Sequence, residues 1–293
     1  MKSTRVLGIF SVSIGACSYG VLATIVKLAY QDEFKLQEVT FAQYSVGWFL
    51  LLFIFLYRKK SKISVREIIR LVGFGSSLGL TGLLYYQSVK YIPVSFGIVL
   101  LMQNTWMGIL LDYFAFKNPL SLTKILGSIL VIFGAFLCSN IYNNVESINL
   151  TGILWGILAA ISYTVTIYSS AHIAKGIDSL QRSFYLSSGG FAAVMTFVLF
   201  ASTKEQFNWE IFNFWGLLLA LFGTILPPVL FAYGMPKVGI STGTILGALE
   251  LPVSVTCAYT LLNEELSLLN LIGVLLILGA VVLVNTIGQP AKN

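Results

Sequence analysis

The sequence predicts an all-α membrane protein: ten transmembrane helices in two inverted five-helix repeats, with both termini cytoplasmic. Three observations carry this expectation. The 293 residues are 57% hydrophobic and 10% charged, with a mean hydropathy of +0.85, whereas a soluble domain carries roughly 25% charged residues. Ten apolar runs of about 19 to 24 residues recur, long enough to cross a hydrocarbon core of about 30 Å and too long for barrel strands. Residue patterns in the first five runs return in the second five.

In order, the runs are Val6–Ala29, Val39–Tyr57, Ile68–Tyr91, Val94–Phe116 and Thr123–Ile141, then Thr151–Ile173, Leu180–Ala201, Phe214–Met235, Ser241–Leu262 and Leu268–Thr286. The first follows Lys2 and Arg5 as a secretory signal would, and Ile14-Gly15-Ala16-Cys17 resembles a lipoprotein cleavage box. It is too long for a signal, however, and it has a partner in the second half. The fifth and tenth carry Gly127, Gly134, Gly273 and Gly279, small residues that let helices approach closely, either each other or across a dimer. Pro227-Pro228 interrupts the eighth, frees backbone carbonyls, and predicts a bend or gating hinge. All connections are short, so no soluble domain is expected.

Loop charge sets the orientation. With the N-terminus in the cytoplasm, all of the 18 Lys and Arg except Lys27, Lys35, Lys90 and Lys204 fall on the inner side, the Arg58–Lys62 cluster included. The net charge of +6 is spread through these loops rather than gathered on a basic face, so no nucleic-acid partner is expected. Cys17, Cys138 and Cys257 lie inside apolar runs without ligand spacing, and the single histidine, His172, sits at a helix end. No cofactor or metal is predicted.

The longest polar connection, Asn140 to Asn149, divides the chain into residues 1–143 and 144–293, a first and a second repeat that together form one transport domain. Gly8-Ile9, Ala16, Ser18 and Tyr19 match Gly152-Ile153, Ala160, Ser162 and Tyr163 at an offset of 144; Tyr86, Lys90 and Ile98 match Tyr233, Lys237 and Ile245 at 147. Five spans per copy force the second copy to enter from the opposite side. Inverted repeats of this kind mark secondary transporters.

Depth in the bilayer selects the candidate site. Glu250, in Glu250-Leu251-Pro252-Val253, stands about ten residues into its span, near the midplane, where a carboxylate costs at least about 2.5 kcal/mol to insert. Pro252 removes a backbone donor beside it. Three roles remain open for Glu250: holding a substrate ammonium, exchanging a coupling proton, or acting as a neutral structural acid. Gln103 is its repeat-related partner, and Ser18, Tyr19, Ser162 and Tyr163 also fall near midspan. Asn104 and Trp106 extend the polar and aromatic lining if they face inward, and Tyr86 lies in the outer third of its span, at a vestibule or in the interfacial belt. The substrate-binding candidates are therefore Glu250, Gln103, Tyr19, Ser18, Tyr163, Ser162, Trp106, Asn104 and Tyr86, with Glu250 also the proton-coupling candidate and Pro227, Pro228 and Pro252 the gate or hinge candidates. Interhelical hydrogen bonding is the competing role for the Ser, Gln and Tyr residues.

Three motifs resemble a known family: Tyr86-Gln87-Ser88-Val89-Lys90-Tyr91-Ile92 closing the third span, Glu250-Leu251-Pro252-Val253, and Asn263-Glu264-Glu265-Leu266-Ser267 before the tenth. With the glycine-rich fifth and tenth spans, the chain resembles the drug/metabolite transporter superfamily, EamA-type branch, over its full length. The resemblance implies alternating-access export of amino acids, metabolites or drugs from the inner or plasma membrane. It departs from the family at Tyr19, where a Trp is common, at Asn118, where the second half has Glu264, and in lacking a first-half counterpart of Pro252. The expected partners are a small-molecule substrate, the lipid bilayer and protons, and monomer and homodimer both fit. A phosphate-bearing metabolite antiporter of the same fold would want basic residues at the midplane, and none is there. An intramembrane enzyme would want a nucleophile–base pair or paired carboxylates, a scaffold leaves a midplane acid without a role, and an ATP-driven pump would want a phosphate-binding loop.

Overall fold

The computed structural model describes residues 2–92, 94–139, 149–201, 207–263 and 265–286, and among them every regular element is helical. The elements are α1 (Lys2–Gln31), α2 (Leu36–Tyr57), α3 (Val65–Ser88), α4 (Val94–Leu101), α5 (Asn104–Phe116), α6 (Leu122–Cys138), α7 (Leu150–His172), α8 (Ser179–Ala201), α9 (Trp215–Leu219), α10 (Leu226–Val238), α11 (Ile240–Gly247), α12 (Glu250–Leu262) and α13 (Leu268–Thr286). Among the described residues nine helices are long and apolar enough to cross a membrane, and α6, 17 residues long, is a shorter apolar tenth. Lys204 and Lys292, which enter the loop-charge count, lie outside the described residues.

Three of the apolar crossings are interrupted, the eighth where its two prolines predict a bend. The fourth breaks between α4 and α5 at Met102–Gln103, and the ninth between α11 and α12 at Ala248–Leu249. At both breaks the backbone tightens to bonds three residues apart, Gln103 N–H to the Leu100 carbonyl and Leu249 N–H to the Leu246 carbonyl. The eighth contains a π-helical stretch, Ala220–Ile225, between α9 and α10. The repeat extends to the caps: α5 ends at Lys117 (φ 54°) and α12 at Asn263 (φ 53°), both left-handed.

Packing pairs the two halves. Helix α3 lies along α7 as α10 lies along α1, and α6 packs on α13. The α6–α13 seam is held by its glycines: a Cβ on Gly273 would stand 2.5 Å from the Gly134 carbonyl oxygen, so the backbones approach as only small residues permit. Asn270 seals the same seam, its Nδ2 donating to the Cys138 carbonyl at 2.9 Å. Of the two packing options open for these glycines, the structure pairs Gly134 and Gly273 with each other's helix.

The face carrying the α1 N-terminus is closed. Asp112 on α5 accepts hydrogen bonds from the Ser241 hydroxyl on α11 and from Asn118 Nδ2 (2.9 Å), and its carboxylate lies 3.6 Å from Lys124 Nζ on α6. Arg182, although near the start of α8, is 1% exposed and counts with the core rather than with the loops. Its guanidinium donates to the carbonyls of Ile173 (2.9 Å), Ser170 (2.6 Å) and Ala232 (2.5 Å). The first two belong to the C-cap and last turn of α7. The third is the carbonyl that Pro236, four residues on and without an N–H, leaves unpaired. Between these polar clamps lies an apolar core that includes Val12, Ile167, Phe231, Met235, Ile240 and Ile245.

Two outcomes follow from this packing. Gly273→Val should drive a side chain into the Gly134 backbone and destabilise the fold by about 1 to 3 kcal/mol, read as a lower Tm in detergent. Asp112→Ala should release α11 from α5. With the native cysteines replaced, a cysteine at Ile245 should then change from unreactive to maleimide-reactive.

Candidate functional site

A cavity of about 510 Å³ enters from the face opposite the α1 N-terminus and ends at the two chain breaks. Its mouth is formed by Lys27 and Tyr30 of α1, Ser139, Tyr259 of α12, and Glu265 and Asn270 at the start of α13; its floor is formed by Ile98, Leu101, Tyr163, Glu250 and Leu251. Glu250 stands near the middle of the 23-residue crossing Ile240–Leu262, and the helical rise from it to Leu262 makes the vestibule about 18 Å deep.

The repeat explains the geometry of the floor. Tyr19 on α1 and Tyr163 on α7 are repeat-related, and they meet edge-to-face with centroids 6.4 Å apart. Phe231 supports Tyr19 from below at 5.8 Å. Gly20 sets the distance between α1 and α12, because a Cβ there would lie 2.5 Å from the Glu250 carbonyl oxygen. Tyr19, Tyr85, Tyr86 and Tyr163 line the same cavity as Glu250. Tyr86 reaches the wall beside Tyr30, with centroids 6.3 Å apart. The Tyr163 hydroxyl, packed near Gly247 at the end of α11, has no hydrogen-bond partner among the described residues.

Four of the sequence candidates, Glu250, Tyr19, Tyr163 and Tyr86, thus share one cavity. The other five are placed elsewhere. Gln103 turns back on its own helix, Nε2 donating to the Val99 carbonyl at 3.0 Å, and its Oε1 accepts from Trp106 Nε1 at 2.9 Å. Trp106 itself is 40% exposed on the outside of the bundle. Ser18 donates to the Phe222 carbonyl at 2.9 Å. In the π-helical register that carbonyl would pair with residue 227, which is a proline, so the hydroxyl replaces the missing donor. Ser162 joins α7 to α3, donating to the Ser77 carbonyl and accepting from Thr81, each at 3.0 Å. Asn104 is 1% exposed beneath the floor, its Oδ1 without a partner among the described residues.

The prolines occupy distinct positions. Pro227 and Pro228 open α10 directly after the π-helical stretch. Pro252 stands in the first turn of α12, where a missing N–H removes no helical bond, so it begins a helix rather than kinking one.

The two breaks align Gln103 with Leu249 and Asn104 with Glu250, one residue off the pairing the sequence spacing predicts. An amide can donate to a carbonyl freed by a break; a carboxylate cannot. Gln103 is therefore spent on structure, while no hydrogen bond or ion pair ties down the Glu250 side chain among the described residues, and it faces the cavity. Sequence reasoning missed Thr81 and Ser254 of the wall, and also Asp112 and Arg182 at the closed end. An acid inside the apolar fourth run was the available signal for Asp112. Among the described residues no three His, Cys, Asp or Glu side chains are grouped to hold a metal.

With this geometry in place, comparison with known proteins is informative. A solved crystal structure superposes with a TM-score of 0.76, covering 98% of this chain and 99% of its own, at 12% identity, which establishes a shared fold. A protein of Archaeoglobus fulgidus described as an uncharacterized transporter is 30% identical over 132 residues, 45% of this chain and 47% of that protein; the matched stretch thus spans about half its length. The model of the EamA-like transporter family matches twice, over residues 6–140 and 150–286. The chain is a multi-pass membrane protein with the two-repeat architecture of that family, and it belongs to the EamA-like transporter family.

Proposed function

We propose that this protein is a secondary transporter that moves a small organic solute, an amino acid or related metabolite or drug, through the central cavity by alternating access. Glu250 is the group that engages the solute's ammonium or a coupling proton. The observation that carries the reading is a carboxylate at mid-bilayer depth, unpaired among the described residues, at the floor of a cavity that ends at two repeat-related breaks. A buried charge without a partner is costly, and a site that binds cations gives it one.

The rest of the chain fits the same cycle. With both termini cytoplasmic, as loop charge favours, the cavity is open to the outside and the Asp112 and Arg182 clamps hold the inner side shut. The π-helical stretch ahead of Pro227 and Pro228, and the break ahead of Pro252, are the places where the backbone can rotate with the fewest hydrogen bonds to break. Export needs the alternative state, in which these clamps part and the tyrosine-lined vestibule collapses. A phosphate-bearing substrate is disfavoured because Arg182 is already engaged by three carbonyls and no basic residue stands at the cavity floor among the described residues.

Uptake into proteoliposomes, with and without a pH gradient, tests the reading across amino acids and amines. Wild type should accumulate at least one of them. Glu250→Gln should transport it at least about tenfold more slowly, as expected for loss of one charge-assisted bond, and without dependence on the gradient. A mutant with normal rate and unchanged pH response would make Glu250 structural.

A further inference from the structure

We infer that the cavity selects monovalent organic cations: an ammonium against Glu250, with an apolar or aromatic body along the tyrosine wall. The inference rests on the transport reading for its setting but makes a narrower claim, about charge.

The charge inventory of the lining is short. Glu250 stands at the floor; Lys27 and Glu265, of opposite sign, stand at the mouth. Lys27 is eight residues beyond Tyr19 along α1, about 12 Å of helical rise toward the mouth. The cations of the closed end are already engaged, Arg182 by three carbonyls and Lys124 by Asp112. A substrate carboxylate or phosphate at the floor would therefore meet a like charge and no cationic side chain. The ammonium of the same molecule would meet Glu250 directly.

The wall has the chemistry that suits the rest of such a molecule. Tyr19, Tyr30, Tyr44, Tyr85, Tyr86 and Tyr163 line the cavity that Glu250 faces. Ring faces attract cations through their quadrupole, the more strongly where water is displaced. They also offer flat apolar surface to an aromatic body. A cavity of about 510 Å³ falls within the range that takes a drug-sized ligand. A zwitterionic amino acid satisfies the ammonium half of this arrangement and leaves its carboxylate without a countercharge, so the corresponding amine is the better fit.

Four probes of equal aromatic body and different charge separate the cases: phenethylamine, phenyltrimethylammonium, phenylalanine and phenylpropionate. Binding is measured by calorimetry on the full chain in nanodiscs. Both cations should bind, phenylalanine at least about tenfold more weakly, and phenylpropionate not detectably. Phenyltrimethylammonium cannot donate a hydrogen bond, so its binding isolates the charge and ring terms. Glu250→Gln should abolish cation binding while keeping a monodisperse elution profile. Tyr19→Leu should weaken it about tenfold, and Tyr19→Phe, which keeps the ring, should restore it. Should phenylalanine or phenylpropionate bind as tightly as the amine, or should neither cation bind at millimolar concentration, the inference is overturned. Counterflow in proteoliposomes separates this from the broader reading. Phenylalanine exchange that depends on Glu250 would refute cation selectivity and leave transport standing, whereas cation binding without exchange would do the reverse.

Discussion

Hydrogen-bond accounting in a medium without water governs this structure. Every interruption of a helix in hydrocarbon releases carbonyls that must find donors within the protein. The donors here are specific. Ser18 supplies Phe222, whose π-register partner is Pro227; Arg182 supplies Ala232, orphaned by Pro236; Gln103 supplies Val99 at the break between α4 and α5. At the repeat-related break between α11 and α12, Leu249 stands in the place of Gln103, and the next residue, Glu250, has when ionised no proton to donate. It turns to the cavity instead. The polar feature that defines the site is thus the one place where the local repair used elsewhere is chemically closed to the ionised side chain.

The two halves share a backbone plan and differ in what the plan carries. Breaks, left-handed caps and the crossing tyrosines recur at matching positions. The polar groups do not. Glu250 aligns with the neutral Asn104, and Asp112 aligns with Ala258, at the offset of 146 that matches the breaks and caps. An acid pins α5 to α11 at one face and an alanine stands in its place at the other, so the two ends have unequal closing interactions. The departures from symmetry set which end of the cavity is closed in this structure.

Much of the fold was legible in the sequence, because hydropathy and repeat spacing report on depth along the membrane normal. The apolar crossings and the place of Glu250 midway along the ninth follow from counting residues. Rotation about a helix axis is harder to read. Ser18 and Tyr19 are adjacent and equally deep, yet one faces a neighbouring helix and the other the cavity. The breaks compound this, because three-residue turns at Met102–Gln103 reset the phase of everything after them; Gln103, Asn104 and Trp106 therefore do not share the face that helical spacing from Glu250's counterpart would give them. Proline was an incomplete guide, since the fourth span breaks without one. Arg182 was read as a loop charge because its sequence position lies at a helix start, while its three carbonyl partners come from residues 9 to 50 positions away.

One feature of the floor bears on energetics across the bilayer. A single carboxylate, with no second acid at the floor among the described residues, can neutralise one positive charge at a time. A cycle that carries a monovalent cation one way and a proton back through that group translocates no net charge. Its driving force is then the proton concentration ratio alone, and the electrical component of the membrane gradient does no work on it.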